Sequence, residues 1–418
     1  MAGRGVAAPW LRWAGTSLIV GMLAACATAP APHTPSASRP ITPQLTPDAP
    51  GHAPTGAVVQ LDDLTGTPWI RPDHPSWQAQ DALPLPPAIQ RQASTWVPVR
   101  WAEVPGWGAD NLQDLWNAWL HSCERPPQGW ARLCRDLRGL TIADTTQRYS
   151  WIMEHFQAYR VTHTQGPREG LLTGYYEPIM PASRVRQGVY QHPLYAVPAG
   201  VRSGQPWFTR QEMDTLPQAQ AQLTGLEIAW LADPIDALLL QIQGSGRLVV
   251  QEPNGSQRTV RLAFAGHNSH PYRSVGRWLL DQGHIRSGTW EAIREWAAAN
   301  PQRINDMLWS NPRMVFFREE SLDDFQALLG PRGAQGVPLT PGRSIAVDRN
   351  SIPYGTPVWM WSPGPHAQIR RLVMAQDTGA AIVGAVRADF FTGWGDEAYT
   401  LAAGIKQPLN LWALWPKP

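Results

Sequence analysis

From residue 171 to its end, apart from a helical stretch between residues 274 and 299, the chain consists of short apolar runs separated by glycine and proline. The runs 344–348, 356–360 and 370–374 contain β-branched and aromatic residues and are too short for helices. Short runs of this kind, with turn residues between them, are typical of β-barrels. The sequence therefore predicts a mainly β fold with flanking helices.

A β-hairpin is predicted around Asn254-Gly255. The apolar runs 247–250 and 259–262 flank this dipeptide, which favours a type I′ turn. The longer run 238–250, which includes the first arm of the hairpin, is expected to be a strand.

Helical spacing is confined to a few segments. Apolar residues recur at intervals of three and four over 112–123, behind Asp110, which we expect to cap the helix. A second helix is expected over 146–160. Two more are expected over 274–280 and 289–299, the last of them ended by an Asn-Pro pair.

The composition indicates a globular protein. Hydrophobic residues make up 43% of the chain and charged residues 16%, which excludes a disordered protein or a coiled coil. The 35 Lys and Arg nearly balance the 33 Asp and Glu, so there is no basic surplus for nucleic acid, and we expect no nucleic-acid partner. Tryptophan is unusually common, with 22 residues; we expect most of them in the core.

The amino-terminal residues have the pattern of a lipoprotein signal. The apolar run 14–25 is shorter than a membrane-spanning helix and ends in Leu-Ala-Ala before Cys26, which resembles the lipobox of bacterial lipoproteins. Residues 1–25 are then a signal peptide, Cys26 is the lipidated residue, and 26–60, rich in Pro, Ala and Thr, are an extended tether. The alternative is an ordinary secretory peptide with an incidental cysteine.

Two cysteines remain after such cleavage, Cys123 and Cys134. In an exported chain, a closely spaced pair favours a disulfide, and two free buried thiols are the alternative. No Cys-x-x-Cys motif is present, and His267 and His270 lack a third ligand at suitable spacing. No metal site and no cofactor are expected.

Acidic residues are few, so their positions are informative. Three aspartates lie at the ends of apolar runs or in turns, Asp348, Asp377 and Asp389, and Glu177 lies in an aromatic run. Apolar surroundings raise the pKa of a carboxyl, as a general acid needs; alternatively, an aspartate at a strand end caps a turn. The Asp-Thr-Gly at Asp377 also matches aspartic proteases, but a single chain of that class needs a second copy, which the sequence lacks.

The segment Gln241-Ile242-Gln243-Gly244-Ser245-Gly246 is a candidate ligand site. In a strand, Gln241 and Gln243 would share one face, and the glycines would allow a ligand to approach the backbone closely. Side-chain amides and bare backbone suit a neutral glycan. A plain β-bulge is the alternative.

Taken together, the motifs resemble the membrane-bound lytic murein transglycosylase A family, whose C-terminal domain carries three aspartates. The resemblance covers about residues 90 to 415. The motifs are, in order, Gly174-Tyr175-Tyr176-Glu177-Pro178, Gln243-Gly244-Ser245-Gly246, Tyr272-Arg273-Ser274-Val275-Gly276, Asn311-Pro312 with Phe316-Phe317, Ala346-Val347-Asp348-Arg349, Gln376-Asp377-Thr378-Gly379 and Arg387-Ala388-Asp389-Phe390-Phe391-Thr392-Gly393-Trp394-Gly395.

The resemblance implies a fold and an activity. A double-psi β-barrel domain would comprise residues 85–180 and 315–418, a second β domain inserted at 181–314 would bind substrate, and a groove would lie between them. The implied protein is an exo-acting lytic transglycosylase that cleaves the β-1,4 bond between N-acetylmuramic acid and N-acetylglucosamine in peptidoglycan and forms 1,6-anhydromuramoyl ends. It would be a lipoprotein on the periplasmic face of the outer membrane, since Ala27, not Asp, follows the lipidated cysteine.

The resemblance also implies roles for individual residues. Asp389 would act first as acid and then as base, with Asp377 and Asp348 in support. The expected substrate-binding residues are Thr173, Gly174, Tyr175, Tyr176, Glu177, Gln243, Gly244, Ser245 and Gly246. The sequence departs from the family pattern at Ser269 and Ala380, where the family has glycine.

Two alternatives remain open. A hydrolytic muramidase would use Asp389 with Asp377 or Glu177 and add water. A peptidoglycan-binding lipoprotein without activity would not need a buried acid, and the presence of all three aspartates argues against it. The expected partners are glycan strands of peptidoglycan and the membrane, reached through Cys26, with other cell-wall enzymes as further candidates.

Overall fold

A computed structural model describes residue 61 and residues 68–165, 169–365 and 367–418. The predicted signal peptide 1–25, the lipidated Cys26 and the tether 26–60 lie outside the described residues. No helix in the described ranges is long and apolar enough to cross a membrane.

Helices and strands both contribute, and strands dominate from residue 156 onward. The helices are α1 (Pro75–Asp81), α2 (Gln113–Ser122), α3 (Ala131–Gly139), α4 (Thr145–His155), α5 (Arg210–Thr215), α6 (Pro217–Leu223), α7 (Pro234–Gln243), α8 (Val275–Asp281), α9 (Trp290–Ala299), α10 (Ile304–Trp309), α11 (Asp324–Ala327) and α12 (Asp396–Gly404). The strands are β1 (Ile89–Gln90), β2 (Thr95–Pro98), β3 (Phe156–Thr162), β4 (Gly170–Glu177), β5 (Ile179–Ser183), β6 (His192–Tyr195), β7 (Glu227–Leu231), β8 (Ser245–Gln251), β9 (Gln257–His267), β10 (Val315–Ser321), β11 (Ser344–Val347), β12 (Pro357–Ser362), β13 (Ile369–Asp377), β14 (Arg387–Trp394) and β15 (Lys406–Pro416).

Nine strands form one sheet in the order β1-β2-β3-β15-β12-β13-β11-β14-β4. Strand β4 also pairs with β15, so the strands from β15 round to β4 close into a six-membered barrel. Closure leaves these strands without free edges. Five of them come from the C-terminal part of the chain, and β4 comes from before the second sheet.

The second sheet has the order β10-β9-β8-β5-β7-β6 and is built entirely from residues between Ile179 and Ser321. It therefore interrupts the barrel in sequence, between β4 and β11. The predicted fold class, a mainly β protein with a barrel domain and an inserted second β domain, is confirmed.

The barrel strands are buried on both faces. Val358 lies inside the barrel with Leu172 and Phe390, while the adjacent Trp359 packs outward with Trp412 against α2, α3 and α4. Successive strand residues point to opposite faces, so a strand covered on both sides needs a nearly continuous apolar run. This is why the runs after residue 344 do not alternate with polar residues.

The tryptophans pack mainly in the interior, as predicted. Among the described residues Trp69 is the only exposed one. The ring of Trp107 lies 4.5 Å from that of Trp101 and meets Trp359 edge-on at 5.2 Å. Buried tryptophan side chains thus pack between the helical layer and the outer face of the barrel.

Asp110 does not cap α2, contrary to the prediction. The cap position is Leu112, and Asp110 is buried in a bidentate pair with Arg343, with oxygen–nitrogen distances of 2.6 and 2.9 Å. It also accepts the Leu372 N–H at 2.8 Å. The carboxylate therefore ties the loop before α2 to the barrel.

The cysteine pair lies at the C-terminal end of α2. Cys123 and Cys134 form a disulfide with a Cα–Cα distance of 5.5 Å, and Cys134 belongs to α3. The bond links two helices that pack on the outside of the barrel.

One predicted element is wrong, and another is too long. The run 238–250 is not one strand, because α7 occupies its first part and β8 its second. Pro234 opens α7, Asp233 caps it by accepting the Ile235 N–H, and Gly244 at φ 83° ends it. The predicted helix 146–160 ends at His155, where β3 begins. Apolar periodicity alone does not separate a buried helix from a buried strand.

The predicted hairpin is present, as β8 paired with β9, but its turn is not type I′. A type I′ turn needs positive φ at both central residues. Within the described residues, Ser269 is the only non-glycine with positive φ, so Asn254 has negative φ and only Gly255, at 83°, is left-handed. Pro253 precedes them, and its fixed φ favours a type I turn followed by left-handed glycine.

Ser269 has φ 59° at a position where the sequence departs from the family glycine. The left-handed conformation costs an L-residue about 1–2 kcal/mol, and glycine would remove this strain from the folded state. Glycine also increases the conformational entropy of the unfolded chain, which offsets part of the stabilisation. We predict that Ser269→Gly raises the free energy of unfolding by about 0.5–1 kcal/mol, as measured by thermal or urea melts. Ser269→Ala, which keeps the Cβ, should not stabilise; a less stable glycine variant would contradict the strain argument.

Candidate active site

The candidate site forms where β14 and β4 run parallel. Their register places Asp389 directly opposite Thr173, 216 residues away in sequence. The Thr173 hydroxyl donates to Asp389 Oδ1 at 2.6 Å and accepts from Arg387 Nη2 at 2.9 Å. One oxygen of Asp389 is thus fixed by the barrel, and within the described chain Oδ2 has no hydrogen bond.

The environment of Asp389 favours the protonated acid. Burial raises the pKa of Asp389 from 3.8 to about 6, and the charge of Asp377 adds to the rise. The Thr173 hydrogen bond and the Arg387 charge lower this pKa. Arg387 directs its guanidinium to Thr173 and to the Ala388 carbonyl, not to the carboxylate, so burial prevails. A carboxyl with this pKa can hold and release a proton near neutral pH.

Asp377 lies at the end of β13. Its Oδ2 accepts from the Tyr175 hydroxyl at 2.9 Å, and its Oδ1 accepts from the Ala334 N–H at 2.9 Å. Burial raises the pKa of Asp377 and raises that of Tyr175 well above its usual value, so Tyr175 stays a neutral donor. Asp377 acts on Asp389 through its charge, since no hydrogen bond joins them among the described residues.

Asp348 lies apart from this pair. Its Oδ1 accepts from the Asn350 N–H and its Oδ2 from the Gly384 N–H, both at 2.9 Å. It therefore holds the turn after β11 to the loop between β13 and β14. Asp348 thus contacts the loop that leads into β14, and among the described residues no hydrogen bond joins it to Asp389.

Glu177 does not line a ligand surface. It is 0% exposed, and its oxygens accept from Arg261 Nε at 2.6 Å and Arg247 Nε at 2.8 Å. The prediction that Glu177 contacts substrate is wrong, because no ligand can reach an enclosed carboxylate. For the same reason, Glu177 cannot serve as the second carboxylate of a hydrolase.

Several predicted binding residues have packing roles within the protein. A Cβ at Gly174 would clash with the backbone of Ala402 in α12, and a Cβ at Gly246 would clash with Leu240. These two glycines permit close packing within the protein. Tyr176 is buried, and its ring is tilted by 50° against that of Tyr399, with 5.3 Å between the ring centres.

The expected glutamine face does not exist. Gln241 and Gln243 lie in α7, not in a strand, and Gln241 accepts from Arg210 in the interior. Gln243 Oε1 accepts the N–H of Tyr176 in β4 at 3.2 Å. Gly244 ends the helix, and Ser245 is buried at the start of β8.

One site residue was missed from the sequence. Arg387 precedes Asp389 by two positions in β14, and residues two apart in a strand point to the same face. That spacing was a signal available from the sequence. Across the described ranges, no three His, Cys, Asp or Glu side chains come together as metal ligands.

Comparisons with known proteins agree with this arrangement. The family described as MltA specific insert domain matches residues 171–318, and the 3D domain family matches residues 343–415. Membrane-bound lytic murein transglycosylase A of Escherichia coli K12 is 31% identical over 258 residues, which cover 59% of this chain and 66% of that protein. The chain thus spans just under two thirds of the length of that relative.

Two solved structures are similar over nearly their whole length. The lytic transglycosylase LtgG of Burkholderia pseudomallei is 42% identical, with a TM-score of 0.52, and the match covers 80% of this chain and 98% of that one. MltA of Neisseria gonorrhoeae is 29% identical, with a TM-score of 0.65, and the match covers 80% of this chain and 96% of that one.

The raised pKa of Asp389 predicts a pH-dependent cost to folding. The unfolded chain ionises this group above pH 3.8, whereas the folded site favours the acid up to about pH 6. Stability is therefore lost as pH rises between these values, and the loss is constant above them. Asp389→Asn, which is neutral, should raise the free energy of unfolding above pH 6 by up to about 3 kcal/mol and change it little below pH 3.8.

Denaturant melts at several pH values test this prediction. The matched control is Asp348→Asn, because both Asp348 oxygens accept backbone N–H groups and an amide nitrogen cannot. That variant should be destabilised by about 1–3 kcal/mol. A destabilised Asp389→Asn at high pH would show that Asp389 is a structural anion.

Proposed function

The chain belongs to the membrane-bound lytic murein transglycosylase A family, and from this we propose that it cleaves the β-1,4 bond between N-acetylmuramic acid and N-acetylglucosamine in peptidoglycan, forming 1,6-anhydromuramoyl ends. The observation that carries the proposal is Asp389, a carboxyl with a pKa of about 6 on a strand of the barrel.

A single aspartate is sufficient for the lytic reaction. Protonated Asp389 donates its proton from Oδ2 to the glycosidic oxygen as the bond breaks. The resulting carboxylate then accepts the proton of the sugar's 6-hydroxyl, which attacks the anomeric carbon, so no water enters. Thr173 holds Oδ1 throughout and keeps Oδ2 directed at the substrate.

The hydrolytic alternative needs a second carboxylate to activate water or to act as nucleophile. Among the described acids near Asp389, Asp377 has both oxygens engaged by Tyr175 and Ala334, and Glu177 is enclosed between two arginines. These engagements favour the lytic reaction. Asp377 then serves by raising the pKa of Asp389, and Asp348 by holding the loop before β14.

The two sheets suggest separate sites for the reaction and for substrate binding. We assign the reaction to the barrel, residues 85–180 and 315–418, and substrate binding to the inserted region, residues 181–314. Among the expected binding residues, Thr173 is paired with Asp389 and Tyr175 follows it in β4, while Gln243 at the end of α7 accepts the N–H of Tyr176 in the same strand.

The product of digestion tests the proposed reaction. Incubation with purified peptidoglycan should release anhydro-ended fragments, each one water lighter than a hydrolytic product, as read by mass spectrometry. Asp389→Asn should lose at least about 10²-fold in rate, because it removes the transferred proton. The control Asp396→Asn makes the same chemical change on an exposed turn of α12 and should keep activity. Reducing ends, or an active Asp389→Asn, would refute the proposal.

We propose a lipid anchor on the periplasmic face of the outer membrane. The Escherichia coli relative is named as membrane-bound, and the Leu-Ala-Ala-Cys sequence ending at Cys26 supplies an acylation site. Cys26→Ser should move the protein from the membrane fraction to the soluble periplasmic fraction without changing its rate on soluble glycan fragments. Unchanged membrane association would contradict the anchor at Cys26.

A further inference from the structure

The chain crosses between the barrel and the second sheet twice. The first crossing follows Glu177, the last residue of β4, and leads into β5. The second is the segment between β10 and β11, which contains α11. The angle between the two sheets depends on what holds these two crossings.

A single buried cluster holds both crossings. Arg247 of β8 and Arg261 of β9 are opposite each other in register, and both donate to Glu177. Arg247 also donates to the carbonyls of Ala327 and Leu329, at 2.8 and 2.9 Å, and Arg261 donates to that of Leu329 at 2.6 Å. The second sheet thus binds the end of β4 through the Glu177 carboxylate, and it binds the segment between β10 and β11 through the two backbone carbonyls.

The cluster also contacts the catalytic strand. Trp394, the last residue of β14, is paired with Glu177, and the guanidinium of Arg247 lies 4.0 Å from the centre of its ring. The N–H of Gly395 donates to the Glu177 carbonyl at 3.2 Å. Asp389 is five residues earlier in the same strand. The cluster therefore connects the second sheet directly to the strand that carries Asp389.

The buried charges of this cluster are better suited to fixing the relative orientation of the two sheets than to stabilising their contact. The three side chains are only 0%, 7% and 6% exposed for Glu177, Arg247 and Arg261. The free energy needed to remove such charges from water cancels much of their Coulombic attraction. Buried ion pairs therefore stabilise a fold less than apolar packing does. Charge-assisted hydrogen bonds from planar guanidinium groups are directional, however, and fix angles that apolar contacts leave free.

We propose that Glu177, Arg247 and Arg261 form a positioning cluster that fixes the angle between the barrel and the second sheet, and so sets how a glycan strand bound to the second sheet meets Asp389. The three residues do not touch substrate; they act through the two crossings and Trp394. The effect on catalysis rests on the proposed function, but the effect on the angle does not.

The key variant is Glu177→Gln, and its matched control is Asp110→Asn. The control also removes one buried carboxylate from an arginine, but that pair lies wholly within the barrel domain. Both variants should lose thermal stability. Only Glu177→Gln should raise the KM for peptidoglycan, on the order of tenfold, because fewer molecules hold the competent angle. Its kcat at saturation and the pH dependence of its rate should change little, since the surroundings of Asp389 are intact.

The angle is measured directly with spin labels. In a full-length Cys26→Ser background, cysteines replace Ile142 on the barrel side and Val189 in the second domain, which are 97% and 68% exposed. Glu177→Gln should broaden the distribution of label–label distances, and Asp110→Asn should not. If Glu177→Gln does not fold, Arg261→Lys is used instead, because it keeps the charge and loses the fork of donors.

The outcomes separate the two proposals. A Glu177→Gln or Arg261→Lys variant with the distance distribution and KM of the Asp110→Asn control would overturn the positioning cluster, whatever its loss of stability. A wild-type protein that forms no anhydro product would overturn the proposed function, and the distance distributions would still decide the cluster.

Discussion

The parallel pairing of β4 with β14 is the contact on which the rest of the molecule depends. It closes the barrel, places Thr173 against Asp389, and brings Glu177 to the end of β14. No local feature of either strand contains this information. The pairing joins residues 216 positions apart, with an entire sheet inserted between them. The contact between Asp389 and Thr173 and the place of the positioning cluster both depend on that one register.

Two carboxylates of this structure show how environment assigns role. Glu177 is enclosed, and two guanidinium groups donate to its oxygens, so it serves as a structural element. Asp389 is less enclosed, but its nearest cation, Arg387, is turned to Thr173, and burial raises its pKa to about 6. The difference lies in where the arginine donors point, and the amount of burial does not decide it.

Local sequence rules predicted a good part of the secondary structure. The helices expected over 274–280 and 289–299 are present as α8 and α9, capped by Ser274 and Thr289, and the short runs after residue 344 are strands. The rules failed where tertiary burial decides the conformation: α7 reads as a strand because it is apolar on nearly every side. Asp110 was predicted to be a cap because it precedes the apolar pattern of α2. Its actual partner, Arg343, is too distant in the sequence for local rules to predict the pair. The roles of the three aspartates came from family resemblance, since spacing alone left each open to a turn-capping role.

The interruption of the barrel by the second sheet sets an order of assembly. All strands of the second sheet are contiguous in the chain, so that sheet can form as soon as residues up to Ser321 are available. Strand β4 precedes it but has no barrel partner until β14 and β15 follow at the other end of the chain. Barrel closure is therefore a late step with a high loop-closure cost. An already folded inserted domain shortens that loop, because it brings Glu177 close to the returning segment.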